Sequence, residues 1–438
     1  MPHPGFPRAI LHLDGDSFFA SVEQALDWRL RGKPVVTGAE RGAATALSYE
    51  AKAKGARRGM SLREIRQLCP DVIVVPSNYT AYSLYAHRMY SIVRQFTPLV
   101  EEYSIDECFA DITGLEERFG SYEAAALAIK KQLEQDLAIT FGVGLAPNKT
   151  LAKVASAYRK PAGFTPLPLE SIPAFLAELP VGGIWGIGFR TSMKFEGLGV
   201  RTAGALASKD LAWLQEHHIS KPYKQIWSEL NGACVKDVCA DTSGADDRIG
   251  SIMHSRTFTP SRDRAFVLSQ VAKNLEGACA KARRHGVKAR FCRFYLKTQS
   301  FTYAGLALDV QVPLADPRAF LRAIEARFDD VYELGEQYRA TGVTLSGITA
   351  DAAVTPDLFG ASDAAEQEAP LIAAIDRMNH KYGRHTVFLG ESMSAIHADE
   401  SGRTARAARN MPTAQKKVRL SIHQRKKTIS IPHLGIVR

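Results

Sequence analysis

Two neighbouring carboxylates, Asp106 and Glu107, lie in the middle of a β-favouring stretch that runs from Val100 to Ile112. In a β-strand, adjacent side chains point to opposite faces, so neither acid would satisfy the other. A strand with charge at its centre calls for a positive partner, and a divalent cation is the usual one. The alternative is an edge strand or a surface turn whose acids are simply solvated.

A second acidic strand end, Asp14-Gly15-Asp16, follows the apolar run 9–13 and precedes a helix that begins near Ser17. Carboxylates at the carboxyl end of a strand, above a helix N-terminus, suit a metal ion and phosphates. The two acidic strand ends together favour a metal site over solvated acids. A competing chemistry is an Asp-x-Asp phosphotransferase with a nucleophilic first Asp, which has little use for the bulky Phe18-Phe19 pair.

The charge of the chain is unevenly distributed. The 438 residues carry a net charge of +10, and the last 38 hold ten Lys or Arg and no acid. Within the otherwise balanced remainder, residues 248–300 hold twelve Lys or Arg against two acids. Two basic regions on a neutral body indicate a polyanionic partner, with nucleic acid the first expectation, although the tail alone is also typical of a solvated, disordered end.

Composition indicates a multidomain protein of the cytoplasm. A chain of this length is expected to form two to four domains, and 45% hydrophobic with 23% charged residues is typical of a soluble globular protein. No apolar run approaches membrane-spanning length, and no signal segment is recognisable. The six cysteines form no Cys-x-x-Cys pair, which favours reduced thiols over disulfides or a zinc site.

Further elements carry basic or glycine-rich patterns. Tyr49 and Lys52 are one helical turn apart and suit a triphosphate, unless this is an ordinary surface helix. The segment 140–156 predicts strand, Gly-rich turn and Lys-bearing helix, which is either a phosphate site or a tight connection. Gly186-Ile187-Gly188 predicts two short helices whose turn binds a nucleic-acid phosphate through backbone N–H groups, or merely packs. Alternating strands place Arg256, Arg293 and Lys297 where they suit a duplex backbone.

Over residues 8–350 the set of motifs resembles the Y-family DNA polymerases, the translesion class. The matching stretches, in unbroken order, are 13–19, 49–52, 103–107, 142–144 with 149–153, 160–161 and 186–188. After residue 250 the similarity leans toward UmuC, the catalytic subunit of DNA polymerase V, at 255–258, 292–298, 342–345 and 357–359. Asp16 and Tyr49 are closer to the DinB style, so the subfamily stays open.

The resemblance implies an α+β multidomain fold, a right-hand polymerase with palm, fingers, helix-hairpin-helix thumb and a little-finger α/β domain. The expected divisions are residues 1–35 with 76–168 for the palm, 36–75 for the fingers, 169–240 for the thumb, 245–350 for the little finger and 351–438 for a C-terminal extension with a basic tail.

The resemblance also implies the site residues. Asp14, Asp106 and Glu107, with the Gly15 carbonyl, would bind two Mg²⁺ ions. Such a clamp, with ions ~3.5–4 Å apart, activates the primer 3′-hydroxyl and stabilises the leaving pyrophosphate. Phe19 falls at the steric-gate position, where its ring would exclude a ribose 2′-hydroxyl. The other nucleotide-binding positions are Phe18, Thr45, Tyr49, Lys52 and Lys160.

The same resemblance implies primer–template DNA and dNTPs as substrates. A sliding clamp would bind through Leu358 and Phe359, although the peptide lacks the leading Gln of its relatives. A UmuD-like subunit and RecA are further expected partners. Lys52 replaces the Arg common in the DinB branch and offers a point charge in place of a bidentate fork.

The expected function is template-directed, low-fidelity synthesis past damaged bases in DNA repair and the SOS response. One rival is a phosphatase or cyclase on a similar acidic palm, against which the DNA-binding hairpin and Phe19 argue. The other is a catalytically silent, polymerase-like protein recruited to replication forks, against which all three acidic ligands argue.

Overall fold

The computed structural model describes residues 5–239, 249–351 and 361–398. Residues 5–239 belong to one compact unit, and the other described residues belong to a second unit. No helix among these residues is long and apolar enough to cross a membrane.

The first unit contains two sheets. The central sheet has the order β5-β6-β1-β7-β8, and the small sheet has the order β3-β2-β4. Their strands are β1 Ile10–Gly15, β2 Val35–Thr37, β3 Ala46–Leu47, β4 Ile73–Val75, β5 Val100–Ser104, β6 Glu107–Asp111, β7 Phe141–Ala146 and β8 Phe164–Pro166.

Helices account for most of the rest of this unit. They are α1 Phe18–Leu26, α2 Tyr49–Ala53, α3 Leu62–Leu68, α4 Tyr79–Val93, α5 Glu116–Phe119, α6 Tyr122–Leu137, α7 Lys149–Tyr158, α8 Ile172–Glu178, α9 Phe189–Gly197, α10 Ala203–Ala207, α11 Leu211–Glu216 and α12 Lys221–Leu230.

Strand alternation sorts the central sheet into two faces. Leu11 and Leu13 of β1 are buried in the core that α4 and α6 contribute to. Ile10 lies in a second core with Leu151 and Ala155 of α7. His12 and Asp14 have the same parity along β1 as Ile10, and therefore lie on the face that carries α7.

The predicted strand through Asp106 and Glu107 is in fact a hairpin. Strands β5 and β6 pair antiparallel across a turn at Ile105 and Asp106, and Glu107 is the first residue of β6. The stretch lacks Gly, Pro and Asn, and its turn-favouring residues Ser104 and Asp106 lie within a β-favouring run, so the sequence left strand and turn open. Tertiary hydrogen bonds accompany it: Gly15 N–H donates to Asp106 O over 2.8 Å, and Tyr90 Oη donates to Ser104 O over 2.5 Å.

Glycines in β7 let α7 approach the sheet closely. A Cβ at Gly144 would lie 2.0 Å from Ala152 O, and one at Gly142 would lie 2.8 Å from Lys160 Cε. The Gly-x-Gly pattern therefore serves a tight connection between β7 and α7. It also leaves room for the Lys160 side chain to cross β7 toward Asp14.

The Gly186-Ile187-Gly188 segment precedes α9, with Gly186 at φ +92° and Gly188 as the N-cap residue. The element before it is a single 3₁₀ turn, Val181–Gly183, in place of the short helix that the sequence predicts. Ile187 is buried and anchors the turn in the helical core of this part of the chain.

The second unit is a four-stranded antiparallel sheet, in the order β11-β10-β12-β9, with helices packed on one face. Its elements are β9 Ser251–Ser261, α13 Arg264–Arg284, β10 Val287–Thr298, β11 Tyr303–Leu314, α14 Pro317–Arg327, β12 Tyr338–Ala350 and α15 Ala361–Tyr382.

The C-terminal segment through Ala398 packs against α13. Arg283 forms a two-pronged ion pair with Asp376, at 2.7 and 2.8 Å, and Lys273 Nζ donates to Ala395 O over 3.2 Å. This helix lies within the basic region 248–300, for which the sequence predicts a polyanionic partner. Instead, Lys273 is buried and Arg283 is paired within the unit, which takes two of those charges away from any external partner.

Candidate functional site

The predicted carboxylates meet at one end of the central sheet. Asp14 lies directly opposite Glu107 in the register of β1 and β6, and Asp106 occupies the adjoining turn. Opposed residues of an antiparallel pair project from the same face with Cβ atoms ~4.5–5.5 Å apart. The sheet therefore gathers all three acids that the sequence singled out, and Gly15 joins them through its hydrogen bond to Asp106.

Asp14 and Glu107, the two carboxylates that lie in strands, each accept a hydrogen bond from a lysine. Lys160 Nζ donates to Asp14 Oδ1, and Lys153 Nζ donates to Glu107 Oε2. Ser104 Oγ donates to Asp106 Oδ1 over 2.5 Å and to Glu107 Oε1 over 3.2 Å. In the described part of the chain no group of three or more His, Cys, Asp or Glu side chains is close enough to hold a metal ion.

The donor set nevertheless fits hard divalent cations. Three carboxylates at the ends of adjacent backbone segments provide the oxygen ligands that Mg²⁺ prefers, and the two ammonium groups on them show that the site calls for positive charge. Asp14 is about a quarter exposed and Glu107 about a seventh, so both remain accessible from one side.

Burial and hydrogen bonding act differently on the two carboxylates. Burial raises the pKa of Asp14, against the opposing effect of the Lys160 ammonium. Burial also acts to raise the pKa of Glu107, but hydrogen bonds from His12 and Lys153 outweigh it and lower that pKa to about 2. Glu107 is therefore ionised throughout the neutral range.

His12 is a site residue that the sequence did not single out. It is fully buried, with Nε2 at 2.9 Å from Glu107 Oε2 and Nδ1 at 2.7 Å from Ser156 Oγ. Burial lowers the pKa of His12 to about 4, so the ring is neutral at pH 7 and orients the carboxylate. The sequence signal that could have identified it is the alternation along β1, which puts His12 on the same face of the sheet as Ile10 and Asp14.

Asp16 is enclosed and acts as a structural acid. Its Oδ2 accepts from Thr140 Oγ1 over 2.8 Å and from Ala162 N–H over 2.6 Å, while Tyr49 Oη lies 3.4 Å from Oδ1. Lys160 Nζ is 3.7 Å from the same Oδ1. Asp16 thus ties the segment around Lys160 to the end of β1.

The predicted nucleotide contacts lie along the start of α1 and α2. Lys52 Nζ donates to Ser17 Oγ over 2.7 Å and sits 4.3 Å from the centre of the Tyr49 ring. Thr45 Oγ1 is engaged by Thr37 Oγ1 at 2.7 Å. Burial, followed by the nearby Lys160 charge, lowers the pKa of Lys52.

The two adjacent phenylalanines have different surroundings. The Phe18 side chain is buried in the main core and lies close to Gly15. Phe19 is partly exposed and stacks on Tyr82, with ring centroids 4.2 Å apart and planes 10° apart. Tyr82 is itself fixed by its hydroxyl, which donates to Glu23 Oε1 over 2.8 Å.

The predicted DNA contacts of the second unit do not share a face. Arg293 and Lys297 are opposite Thr344 and Ala340 of β12 and point away from the helices. Arg256 is opposite Thr341, which is fully buried and bonded to α13 through Asn274, so the register puts it on the helix-bearing face. Leu358 and Phe359, predicted to bind a clamp, lie outside the described residues.

Comparisons with known proteins identify the family to which the chain is similar. Residues 13–157 match the model of the impB/mucB/samB family, and residues 250–358 match the model of the impB/mucB/samB family C-terminal domain. In structure the chain resembles a "Y-family DNA polymerase chimera Dbh-Dpo4(243-245)-Dbh", with a TM-score of 0.64 at 24% identity, over 78% of this chain and 99% of that one.

Curated relatives span nearly the whole chain. DNA polymerase IV of Pelotomaculum thermopropionicum is 31% identical over 399 residues, which cover 88% of this chain and 95% of the relative. DNA polymerase IV 1 of Bacillus subtilis is 30% identical over 417 residues, 91% of this chain and 96% of the relative. These names do not support the expected leaning toward UmuC. The chain belongs to the Y family of DNA polymerases and is a DNA-directed DNA polymerase.

Proposed function

We propose that this polymerase extends primers past damaged template bases, with Asp14, Asp106 and Glu107 holding two Mg²⁺ ions. The observation that carries the proposal is the register of β1 and β6, which sets Asp14 opposite Glu107 beside the Asp106 turn. Two cations held there would activate the primer 3′-hydroxyl and stabilise the leaving pyrophosphate. The UmuD-like subunit and RecA, which followed from the UmuC leaning, are not part of the proposal.

The lysines and Tyr49 support a triphosphate seat beside the carboxylates. Lys52 and Lys160 bring two ammonium groups to the start of α1, and Tyr49 lies between Lys52 and Asp16. When a triphosphate binds with its cations, we expect Lys160 to move from Asp14 to the phosphate oxygens. The cations would then neutralise Asp14, and the negative phosphates would bind the Lys160 ammonium. In this role Lys160 orients the substrate and balances its charge.

Small residues in the segment before α2 support tolerance of damaged templates. Gly42, Ala43 and Ala46 are partly exposed and offer little side-chain volume. A pocket lined by such residues discriminates poorly against altered base shapes, since specificity requires steric or polar rejection of the wrong partner. The direct test is primer extension opposite an abasic site: the proposal predicts incorporation there, and arrest one nucleotide before the site would contradict lesion bypass.

Phe19 is proposed to exclude ribonucleotides, with Tyr82 holding its ring in place. Replacing Tyr82 with leucine should remove the 4.2 Å stack and loosen the Phe19 ring. Because an aromatic pair contributes about 0.5–1.5 kcal/mol beyond area burial, dNTP-over-rNTP selectivity should fall roughly twofold to tenfold. The measurement is the ratio of kcat/KM values for dCTP and CTP.

Tyr85→Leu is the matched control for this change. It removes a second buried tyrosine from α4, one turn along the helix, without touching the Phe19 stack. An equal loss of sugar selectivity in both variants would assign the effect to general loosening of α4 and would reject the supporting role of Tyr82.

The open face of the second unit is proposed to hold duplex DNA by its backbone. Lys297 Nζ lies 4.5 Å from the Phe301 ring centre and 4.7 Å from that of Tyr303, and Arg293 projects from the same face. Replacing both Arg293 and Lys297 with alanine should weaken duplex binding. The slope of log K against log salt should become shallower by ~0.9 for each lost phosphate contact.

Arg290→Ala is the control for this surface. Arg290 is already engaged by Asp309 through two hydrogen bonds of 3.0 and 2.9 Å, so it has less charge to offer a phosphate. Fluorescence anisotropy with a labelled duplex at several salt concentrations measures both effects. An unchanged salt slope in the Arg293/Lys297 double variant would exclude these residues from the DNA contact.

A further inference from the structure

The Lys153 ammonium has two kinds of partner at once. Its Nζ donates to Glu107 Oε2, and the same atom lies 4.8 Å from the centre of the Tyr103 ring and 5.6 Å from that of Trp185. Its side chain is only about a fifth exposed. Lys153 is therefore held between a proposed cation ligand and two aromatic rings.

Charge balance at Glu107 depends on this lysine. His12 also contacts the carboxylate, with Nε2 of its fully buried ring 2.9 Å from the same Oε2 atom. The ammonium of Lys153 forms an ion pair with Glu107, and it therefore stands where a bound cation would otherwise neutralise the carboxylate. A divalent cation bound to Glu107 would therefore compete with Lys153 for the negative charge of this carboxylate.

The two aromatic rings offer the Lys153 ammonium a second binding position. Trp185 is tilted against Phe109, with centroids 5.5 Å apart, and meets Tyr103 edge to face at 5.4 Å. These contacts fix the faces on which the ammonium lies, and ring faces attract cations. Lys153 is thus able to leave the carboxylate and still remain beside the site. Without the two rings, its ammonium group would have to move into water.

We propose that Lys153 is the resident counter-ion of Glu107: it neutralises the carboxylate when no divalent cation is bound, and it withdraws onto the Tyr103 and Trp185 rings when one binds. This inference rests on the proposed cation site. Lys153 is a positioning residue in this scheme, because it acts on the affinity of the carboxylates and not on the reacting atoms.

The test is the affinity for Mn²⁺ of the full chain without DNA or nucleotide, measured by the electron paramagnetic resonance signal of free Mn²⁺. Lys153→Met keeps the length of the side chain and removes its charge. We expect Mn²⁺ to bind about tenfold more tightly to this variant, since one competing positive charge several ångströms from a divalent cation is lost. The unfolding temperature in EDTA should fall, and Mn²⁺ should raise it by more than in the wild type.

Two controls separate charge from packing. Lys153→Arg keeps the positive charge and the ring contacts, and should bind Mn²⁺ with near wild-type affinity. Lys236→Met removes a different ammonium, 5.1 Å from the Trp185 ring centre, and should leave the affinity near the wild-type value. If Lys153→Met binds Mn²⁺ no more tightly than the wild type, the counter-ion role is wrong.

A further variant distinguishes this failure from failure of the cation site. Asp106→Ala/Glu107→Ala should lose the Mn²⁺ binding that the wild type shows. If it binds Mn²⁺ as well as the wild type, then the carboxylates are not the ligands, and both the cation site and the role of Lys153 are rejected. Tighter binding by Lys153→Met together with loss in the double variant supports both.

Discussion

Asp106→Asn is expected to reduce the rate of nucleotide incorporation by roughly a thousandfold or more while leaving the fold intact. Loss of a cation ligand removes several kcal/mol of transition-state stabilisation, and each ~1.4 kcal/mol is a factor of ten in rate. The Asp106 carboxylate lies in a turn and accepts a hydrogen bond from Ser104, which an amide oxygen also accepts. Single-turnover incorporation of the correct dNTP measures the rate, and thermal unfolding measures stability.

Asp111→Asn is expected to have the opposite effects, a lower stability with a nearly unchanged rate of incorporation. Asp111 is buried at the far end of β6, where Oδ1 accepts from Thr113 N–H over 3.0 Å and Oδ2 accepts from Arg8 over 2.6 Å. Breaking this ion pair should lower the unfolding temperature, because Arg8 loses the buried one of its two charged partners and keeps only the exposed Asp237. The incorporation rate of the folded enzyme should remain near that of the wild type. A thousandfold loss in both variants would remove the special role of Asp106.

Phe19→Ala is expected to admit ribonucleotides. The partly exposed ring is backed by Tyr82 and flanked edge to face by Tyr79, at 5.6 Å, so it yields little when a 2′-hydroxyl presses on it. Forcing extra atoms into a packed site costs about 1–3 kcal/mol or more. Selectivity for dNTPs over rNTPs should therefore fall by about tenfold to a hundredfold when the ring is removed.

Phe19→Tyr serves as the control, since it retains a ring of the same shape and should keep most of the selectivity. The ratio of kcat/KM for a dNTP and the matching rNTP is the readout. Unchanged sugar discrimination in Phe19→Ala would take Phe19 out of the steric-gate role, whatever its position beside Tyr82.

The residues at the ends of strands were the most predictable part of the site. Asp14 follows an apolar run and precedes a helix, and local alternation suffices to locate it. The turn at Ile105 and Asp106 was expected only as an alternative to a continuous strand, because Ser104 and Asp106 favour turns but lie within a β-favouring run. The hydrogen bonds from Gly15 and Tyr90 that accompany the turn come from distant parts of the chain.

The lysines illustrate a second limit. Lys52 and Lys160 were placed near the site by resemblance, but the pairing of Lys153 with Glu107 depends on how closely α7 packs on the sheet. That approach is set by Gly142 and Gly144, whose pattern was interpreted as either a phosphate loop or a connection. Likewise, Arg256 and Arg293 look equivalent along the sequence, and only the strand register separates their faces.

The packing of the C-terminal segment on α13 also could not be predicted from the sequence. Helix α15 extends over Ala361–Tyr382. Its partner was not expected: Asp376 neutralises Arg283, and Ser392 donates to Glu276. These pairs join positions about a hundred residues apart, so no local periodicity reports them.

The most direct test of the whole account is primer extension by the wild-type chain on four templates that differ only in the next base, with Mg²⁺ and each dNTP separately. We expect the complementary dNTP to be incorporated fastest on every template, EDTA to stop the reaction, and Asp106→Ala/Glu107→Ala to give no extension above background. Extension by the wild type that is no greater than that of this double variant would contradict the central claim.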